Sequence, residues 1–371
     1  MLADRGYDVR ASGEGAAAMT ALASDAAALV LCAPTAVDGT GRNLVDALAI
    51  ELPEVAVIVV TDDPDLDEVL EMLRLGASDY LTDVLADDER LVAAVEEALE
   101  RTRLRSENSL VKLELEAANE QLQDYVDALQ QDQRAGRQVQ LGMLPPSPMK
   151  VDNLRLAHRI VPSLFLSGDF VDYFRLTERH LVFYIADVSG HGASSAFVTV
   201  LLKNFSRRLR REYRPRMLGE PGEILRWLNR ELLESALDRH VTLFIGVVDT
   251  ARQTLSCANA GHFPAPVLVT GSQARYLELK GKPLGLFEEL RLASETVELP
   301  EEFTLALFSD GIFEVLAPES LAERETLLLG CVERCARETP GDLDALCGAL
   351  GIEAAMDAPD DIACLQITRR A

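Results

Sequence analysis

The chain has 371 residues, 48% hydrophobic and 26% charged, a balance that excludes a disordered chain and a fibrous repeat. Its formal net charge is -25, and residues 1–100 alone hold 22 Asp and Glu against 5 Lys and Arg, leaving only -8 for residues 101–371. A field of that sign repels phosphate backbones, so no nucleic-acid partner is expected and a charged partner should be basic.

At this length two domains and a connector are the natural expectation. No apolar run approaches the roughly 18 residues of a membrane-spanning helix, so no membrane partner is expected; the richest run, residues 55–60, has the length of a buried strand. The start MLADR lacks the apolar region of a secretory signal, and the six cysteines (Cys32, Cys257, Cys331, Cys335, Cys347, Cys364) form no C-x-x-C pair. A cytoplasmic protein with reduced thiols is therefore expected, with Cys331 and Cys335 one turn apart on a buried helix.

Through residues 7–99 short apolar runs alternate with helical patterns. The expected elements are a strand at YDVRA (7–11), a helix over 13–23, strand ALVLC (28–32), a helix over 44–52, strand VAVIVVT (55–61), a helix over 66–75, strand DYLT (79–82) and a helix from Asp88. Such alternation predicts a parallel sheet covered on both faces, a doubly wound α/β unit. With GASDYL before its last strand, the order resembles the flavodoxin-like receiver domain of bacterial response regulators over residues 1–86. A receiver opens on a central strand ending in two metal-binding acids, and this chain starts where the first helix should be ending. The expectation is that roughly twenty residues lie upstream, enough for one strand and most of a helix. The resemblance places Ala33 at the phosphate-accepting aspartate, Thr61 at the hydroxyl position and Asp83-Val84 where the family has Lys-Pro. A carboxylate in place of that lysine reverses the charge that would neutralise an acyl phosphate. A pseudo-receiver is expected, with Asp38 either a displaced acceptor or, better, a turn-forming Asp-Gly.

Residues 87–145 are charged and Gln-rich. Placing Leu104, Val111, Ala118 and Tyr125 at heptad position d puts Asn108, Leu115, Leu122 and Leu129 at a. Sustained heptads predict a two-stranded coiled coil and hence a homodimer, the other reading being one long helix lying on its own domains. Gly136 and then MLPPSP are expected to end the helix.

Over residues 146–371 strands outnumber helices: LRLAHRIV (154–161), DFVDYFRL (169–176), HLVFYIADV (180–188), helices over 193–211 and 222–237, then VTLFIGVVD (241–249), TLSCANAG (254–261), APVLVT (265–270), RYLEL (275–279), TVEL (296–299), FTLALFSDG (303–311) and DDIACLQIT (360–368). Two sheets packed face to face with helices outside, an αββα sandwich, would bury this pattern. Several apolar runs end in acids: Asp187 after 183–186, Asp310-Gly311 after 305–308, Asp360-Asp361 opening the last strand and Asp169 after a glycine. Each alone reads as a turn or strand cap. Together, carboxylates gathered at one end of a sandwich repel unless divalent cations neutralise them, and oxygen-only ligation suits magnesium or manganese.

The ordered motifs SGDFVDYF, ADVSGHGASSAF, NAGHFPAPVL, GKPLGLF, LFSDGIFEV and DDIACLQI resemble the SpoIIE/RsbU-type serine phosphatases of the PPM superfamily. The receiver, helix and phosphatase order, with the linker phrase AGRQVQ, further resembles RssB-like response regulators. The resemblance implies that Asp187 bridges two divalent cations, Mn2+ or Mg2+, with the Val188 carbonyl completing one site. Asp310 and Asp361 would hold the second ion, and Asp169 would bind the first directly or through water. The pair would lower the pKa of a bridging water that attacks phosphoserine in line, while Gly190 and Gly192 let the backbone approach closely. His191 is either the general acid for the leaving serine or a structural hydrogen-bonding residue. His262 is read as orienting backbone, Ser167 departs from the family's glycine, and Asp172 is either a residue behind the ligands or a surface acid. Seven basic residues from Lys203 to Arg216 form a solvated helix face, or a surface that docks the acidic first domain or guides a phosphoprotein. The implied function is a metal-dependent phosphoserine/phosphothreonine protein phosphatase gated by the pseudo-receiver. Its substrate would be a phosphorylated STAS-type anti-sigma antagonist in a partner-switching stress pathway. The alternative is a non-catalytic adaptor that binds a sigma factor or its antagonist; the intact acids favour the enzyme.

Overall fold

The computed structural model describes residues 1–370 apart from 26, 64, 83–87, 191, 236–238 and 354–357, in two units, Met1–Tyr125 and Val126–Ala371. The first unit runs α1 (Gly15–Ser24), β1 (Leu29–Cys32), α2 (Leu44–Glu51), β2 (Ala56–Thr61), α3 (Leu66–Leu75) and β3 (Asp79–Thr82), then enters α4 (Asp88–Met143). The three strands are parallel in the order β1-β2-β3. Alternate residues of β2 explain why both faces are covered. Val57 and Val59 pack with Leu44, Val45 and Leu48 of α2 and Met72 of α3, while Ala56 and Ile58 pack with Leu91, Ala94 and Val95 of α4. YDVRA is a correction: residues 7–11 form no strand, because no described strand offers their backbone a ladder. Asp38 is saturated within its own loop, accepting from Thr40 N, Thr40 Oγ1 and Arg42 N at 2.8, 2.7 and 3.0 Å, as a turn residue does. Thr61 ends β2, and Asp83-Val84 lies outside the described residues.

Helix α4 also corrects an expectation, since Gly136 does not end it. A glycine inside a helix costs only about 1 kcal/mol, too little to end it, and Leu166 packs beside this one, its Cδ2 3.4 Å from where a Cβ would stand. The helix stops at Met143, ahead of Pro145 and Pro146.

The second unit continues with β4 (Met149–Val151), β5 (Leu154–Val161), β6 (Phe170–Arg175), β7 (His180–Val188), α5 (Ala193–Glu212), α6 (Pro215–Gly219), α7 (Pro221–Glu234), β8 (Val241–Asp249) and β9 (Thr254–Ala260). It ends with β10 (Val267–Thr270), β11 (Gln273–Tyr276), β12 (Ser294–Glu298), β13 (Phe303–Phe308), α8 (Ile312–Val315), α9 (Leu321–Glu338), α10 (Leu343–Ala349) and β14 (Ile362–Arg369). Two antiparallel sheets result, ordered β11-β10-β13-β14-β5-β4 and β12-β9-β8-β7-β6. Strand β7 shows how the layers form: Leu181, Phe183 and Ile185 enter the apolar layer between the sheets, while Val182, Tyr184 and Ala186 face Leu202 of α5 and Leu228 of α7. A third apolar layer joins the other sheet to α9 and α10. Helix α9 carries Cys331 and Cys335 on its buried face as expected, while α10 goes beyond the helical stretches expected. The pattern of α9 shows only when Cys331 and Cys335 count as apolar beside Leu328, Val332 and Ala336, all of them buried. All six cysteines are free thiols. Among the described residues no helix is long and apolar enough to cross a membrane.

Candidate metal centre

Strand pairing brings the acids to one end of the sandwich. In one sheet Phe170 pairs with Ala186, so Asp169 and Asp187 flank the same rung, and Asp187 itself pairs with Thr242. In the other sheet Phe308 pairs with Cys364, and Ser309 exchanges hydrogen bonds with Ala363, N to O at 3.0 Å and Ala363 N to Ser309 Oγ at 2.7 Å. That places Asp310 beside the start of β14. Gly311 is required there, since a Cβ would stand 2.1 Å from the Asp361 carbonyl oxygen; one on Gly168 would stand 2.9 Å from the Val188 carbonyl oxygen. Gly190 and Gly192 both hold positive φ, at 81° and 84°.

The electrostatics report the crowding. Asp169 is buried, its Oδ2 has no hydrogen-bond partner, and burial together with Asp187 holds its carboxyl well above the usual range. Asp187 is pushed up to about 7 by burial, then by Asp310, Asp360 and Asp361. Asp310 is raised by burial and by Asp360. Asp360, absent from the ligand set expected from the sequence, thus acts on both Asp187 and Asp310. Asp361 is placed differently: its Oδ1 accepts from Ser163 N and Oγ at 2.7 and 2.8 Å, and its Oδ2 from Gly168 N at 2.6 Å. The adjacent acids therefore diverge, one exposed at the mouth and one bracing two loops.

Among the described residues no three His, Cys, Asp or Glu side chains by themselves close around one ion. Divalent cations with hard oxygen ligands retain waters, so two carboxylates and a carbonyl per ion suffice. The orphaned Asp169 Oδ2 and the all-oxygen donor set fit such ions.

Other residues singled out in the sequence divide. His191 lies outside the described residues. The Ser167 hydroxyl accepts from Asp169 N at 3.0 Å, a bond glycine could not make. Asp172 is wholly buried and takes Lys203 Nζ at 3.0 Å, so the surface-acid reading is corrected. His262 is buried, and burial pushes its ring down to a pKa of about 4; Asn259 holds that turn, accepting from His262 N at 2.8 Å. The basic run is not one patch, since Arg208 pairs with Glu231 and Arg216 with Glu223, and Arg210 lies over Phe174. Sequence reading missed Arg239. Its guanidinium donates to Ser194 Oγ at 2.8 Å and lies over Gly190, with no carboxylate partner among the described residues.

Residues 177–370 match the family model described as Stage II sporulation protein E (SpoIIE). The chain is 30% identical to phosphoserine phosphatase RsbP of Bacillus subtilis (strain 168), over 46% of its own length and 42% of that relative. It is 22% identical to the Regulator of RpoS of Escherichia coli (strain K12), over 60% of its length and 64% of that protein. The chain thus spans less than two thirds of these relatives. In fold it is similar to the SiaA-PP2C domain of Pseudomonas aeruginosa, with a TM-score of 0.53 and 18% identity over 66% of this chain and 98% of that one.

Proposed function

The chain belongs to the SpoIIE family, and from that premise we propose that it is a PPM-type phosphatase removing phosphate from serine or threonine of a protein. The observation that carries this is the convergence of Asp169, Asp187, Asp310 and Asp360, where burial and then mutual repulsion raise the carboxyls of Asp169, Asp187 and Asp310. Asp187, the Val188 carbonyl and Asp169 would hold one divalent cation, and Asp187 and Asp310 the other, with Asp360 reaching it through water and Asp361 kept as the brace. Bound there, Mn2+ or Mg2+ supplies an attacking water that is acidic at neutral pH and charge for the phosphoryl oxygens. Arg239, a guanidinium with no carboxylate partner among the described residues, lies beside the Asp187 loop and suits a phosphoryl anion arriving at the mouth. As the phosphorus–oxygen bond to serine breaks, the leaving oxygen takes a proton; His191 is the residue proposed to give it.

Residues 1–86 are proposed as a pseudo-receiver, 87–145 as the linker and 146–371 as the phosphatase. Along α4 the heptad side chains Leu104, Val111, Leu115, Leu122, Tyr125 and Leu129 are exposed, which supports homodimerisation through that helix. The proposed substrate is a phosphorylated STAS-type antagonist in partner switching, in the cytoplasm, with the acidic first unit regulating access. The test is hydrolysis of a phosphoserine peptide with and without Mn2+, in the native chain and in Asp187→Asn. Mn2+-dependent turnover that falls more than about 100-fold in the variant is expected. Equal, negligible rates in every condition would favour the adaptor.

A further inference from the structure

The last turns of α4 reach the metal loop through one side chain. Gln140 is buried, and its amide makes a two-bond fork with the peptide of Ser167: Nε2 donates to Ser167 O at 2.7 Å and Oε1 accepts from Ser167 N at 3.1 Å. Nε2 also donates to Thr199 Oγ1 of α5, at 3.1 Å. Strand β6 is the edge of its sheet and begins only at Phe170. Ser167 therefore lies ahead of the ladder, and Gln140 supplies the pair of bonds that a neighbouring strand would make. Three successive amides are thereby fixed. Ser167 N donates to Gln140, Gly168 N to Asp361 at 2.6 Å, and Asp169 N to the Ser167 hydroxyl at 3.0 Å. In a loop held at every amide, Asp169 Oδ2 is the buried oxygen left without a partner. Gly136, one helical turn earlier, lies against Leu166 beside the same loop.

We propose that Gln140 is a positioning residue for metal binding: its amide sets the loop of residues 167–169 so that Asp169 faces the cation, and the loop is competent when this end of α4 is seated. This rests on the metal-dependent reading above. Gln140 touches neither ion nor substrate; it acts through the backbone that carries Asp169. Groups that orient a ligand in this way are worth about 10- to 100-fold in metal affinity.

The test is direct titration of the full chain with Mn2+, read by the free-ion electron paramagnetic resonance signal and alongside melting in chelator. Gln140→Leu removes all three bonds and should weaken Mn2+ binding about tenfold, with turnover recovering at saturating Mn2+. Gln140→Glu keeps the size and an acceptor for Ser167 N but offers Ser167 O no donor, so it should also weaken binding; it carries the test if the leucine variant does not fold. Thr199→Val removes the bond from Gln140 to α5, with the Thr199 hydroxyl's own bond to Ala196 O, but leaves the fork to Ser167, and should stay within twofold of native. Both Gln140 variants binding Mn2+ within twofold of the native chain, or Thr199→Val weakening it equally, would overturn the proposal alone. A native chain that binds no Mn2+ overturns the metal-dependent reading and this proposal with it.

Discussion

The adjacent acids Asp360 and Asp361 can be separated by opposite responses to the same change. Asp361 accepts three hydrogen bonds, two from Ser163 and one from Gly168 N, at 2.6 to 2.8 Å. Bonds to a charged acceptor are worth about 1.5–3 kcal/mol each. Asparagine keeps one oxygen and turns an NH2 toward whichever donor it no longer serves, so Asp361→Asn should lose about 2–4 kcal/mol and several degrees of Tm. Asp360 is exposed, accepts one bond, from Asp361 N at 2.8 Å, and adds to the repulsion felt by Asp187 and Asp310. Asparagine can keep that bond through its oxygen while removing the charge. Asp360→Asn should therefore melt in chelator at or slightly above the native temperature, yet bind Mn2+ more weakly and turn over less phosphopeptide. Calorimetry in chelator and Mn2+ titration of both variants decide the matter. An Asp361→Asn protein of native Tm that binds no Mn2+, beside a fully active Asp360→Asn, would refute the division of roles.

Lys203→Met should cost about 3 kcal/mol in urea unfolding, because it strands the wholly buried Asp172, whose Oδ2 already lacks a partner; adding Asp172→Asn should restore more than half, and no loss in the single variant would contradict the burial argument. Asp187 sits at about 7 against an ordinary 3.8, so the metal-free native state holds a proton that the unfolded chain has released. That contribution is complete below about pH 4 and is lost as pH rises through about 7; saturating Mn2+ should flatten the slope, and a metal-free stability constant over this window would oppose it. Leu115→Glu with Leu122→Glu, at exposed heptad positions of α4, should convert a dimer to a monomer in sedimentation, and a native chain already monomeric at tens of micromolar would remove the coiled coil.

The sandwich was legible because its strands bury both faces and so read as bounded apolar runs. HLVFYIADV coincides with β7, and the acid at its end marks where the sheet meets its mouth. Asp172 also left a signal, as the one charge in FVDYF, a run otherwise buried up to Phe174; an acid there needs a cation, and Lys203 supplies it. YDVRA failed for the opposite reason. Alternation describes a segment that can pair, while a strand exists only where a partner does. Gly136 was misread because one helical glycine costs only about 1 kcal/mol, while the turns that follow it continue the helix to Met143.

That Asp360 is exposed while Asp361 is buried and bonded was hidden from sequence for a related reason. Consecutive residues point to opposite sides of an extended chain, and which side meets the mouth depends on register. Register here follows from Ile362 pairing with Val161 of β5, after which Asp361 meets Ser163 just beyond that strand. The resulting arrangement resolves a conflict in the site. Acids crowded enough to hold cations destabilise the fold that carries them, and they need bracing that does not depend on the ion. Asp361 and Gln140 provide it from either side of Ser167 and Gly168, bonding the backbone and leaving Asp169 Oδ2 unpartnered. The loop can thus stay ordered while the oxygen proposed as the ligand is left free for a charge.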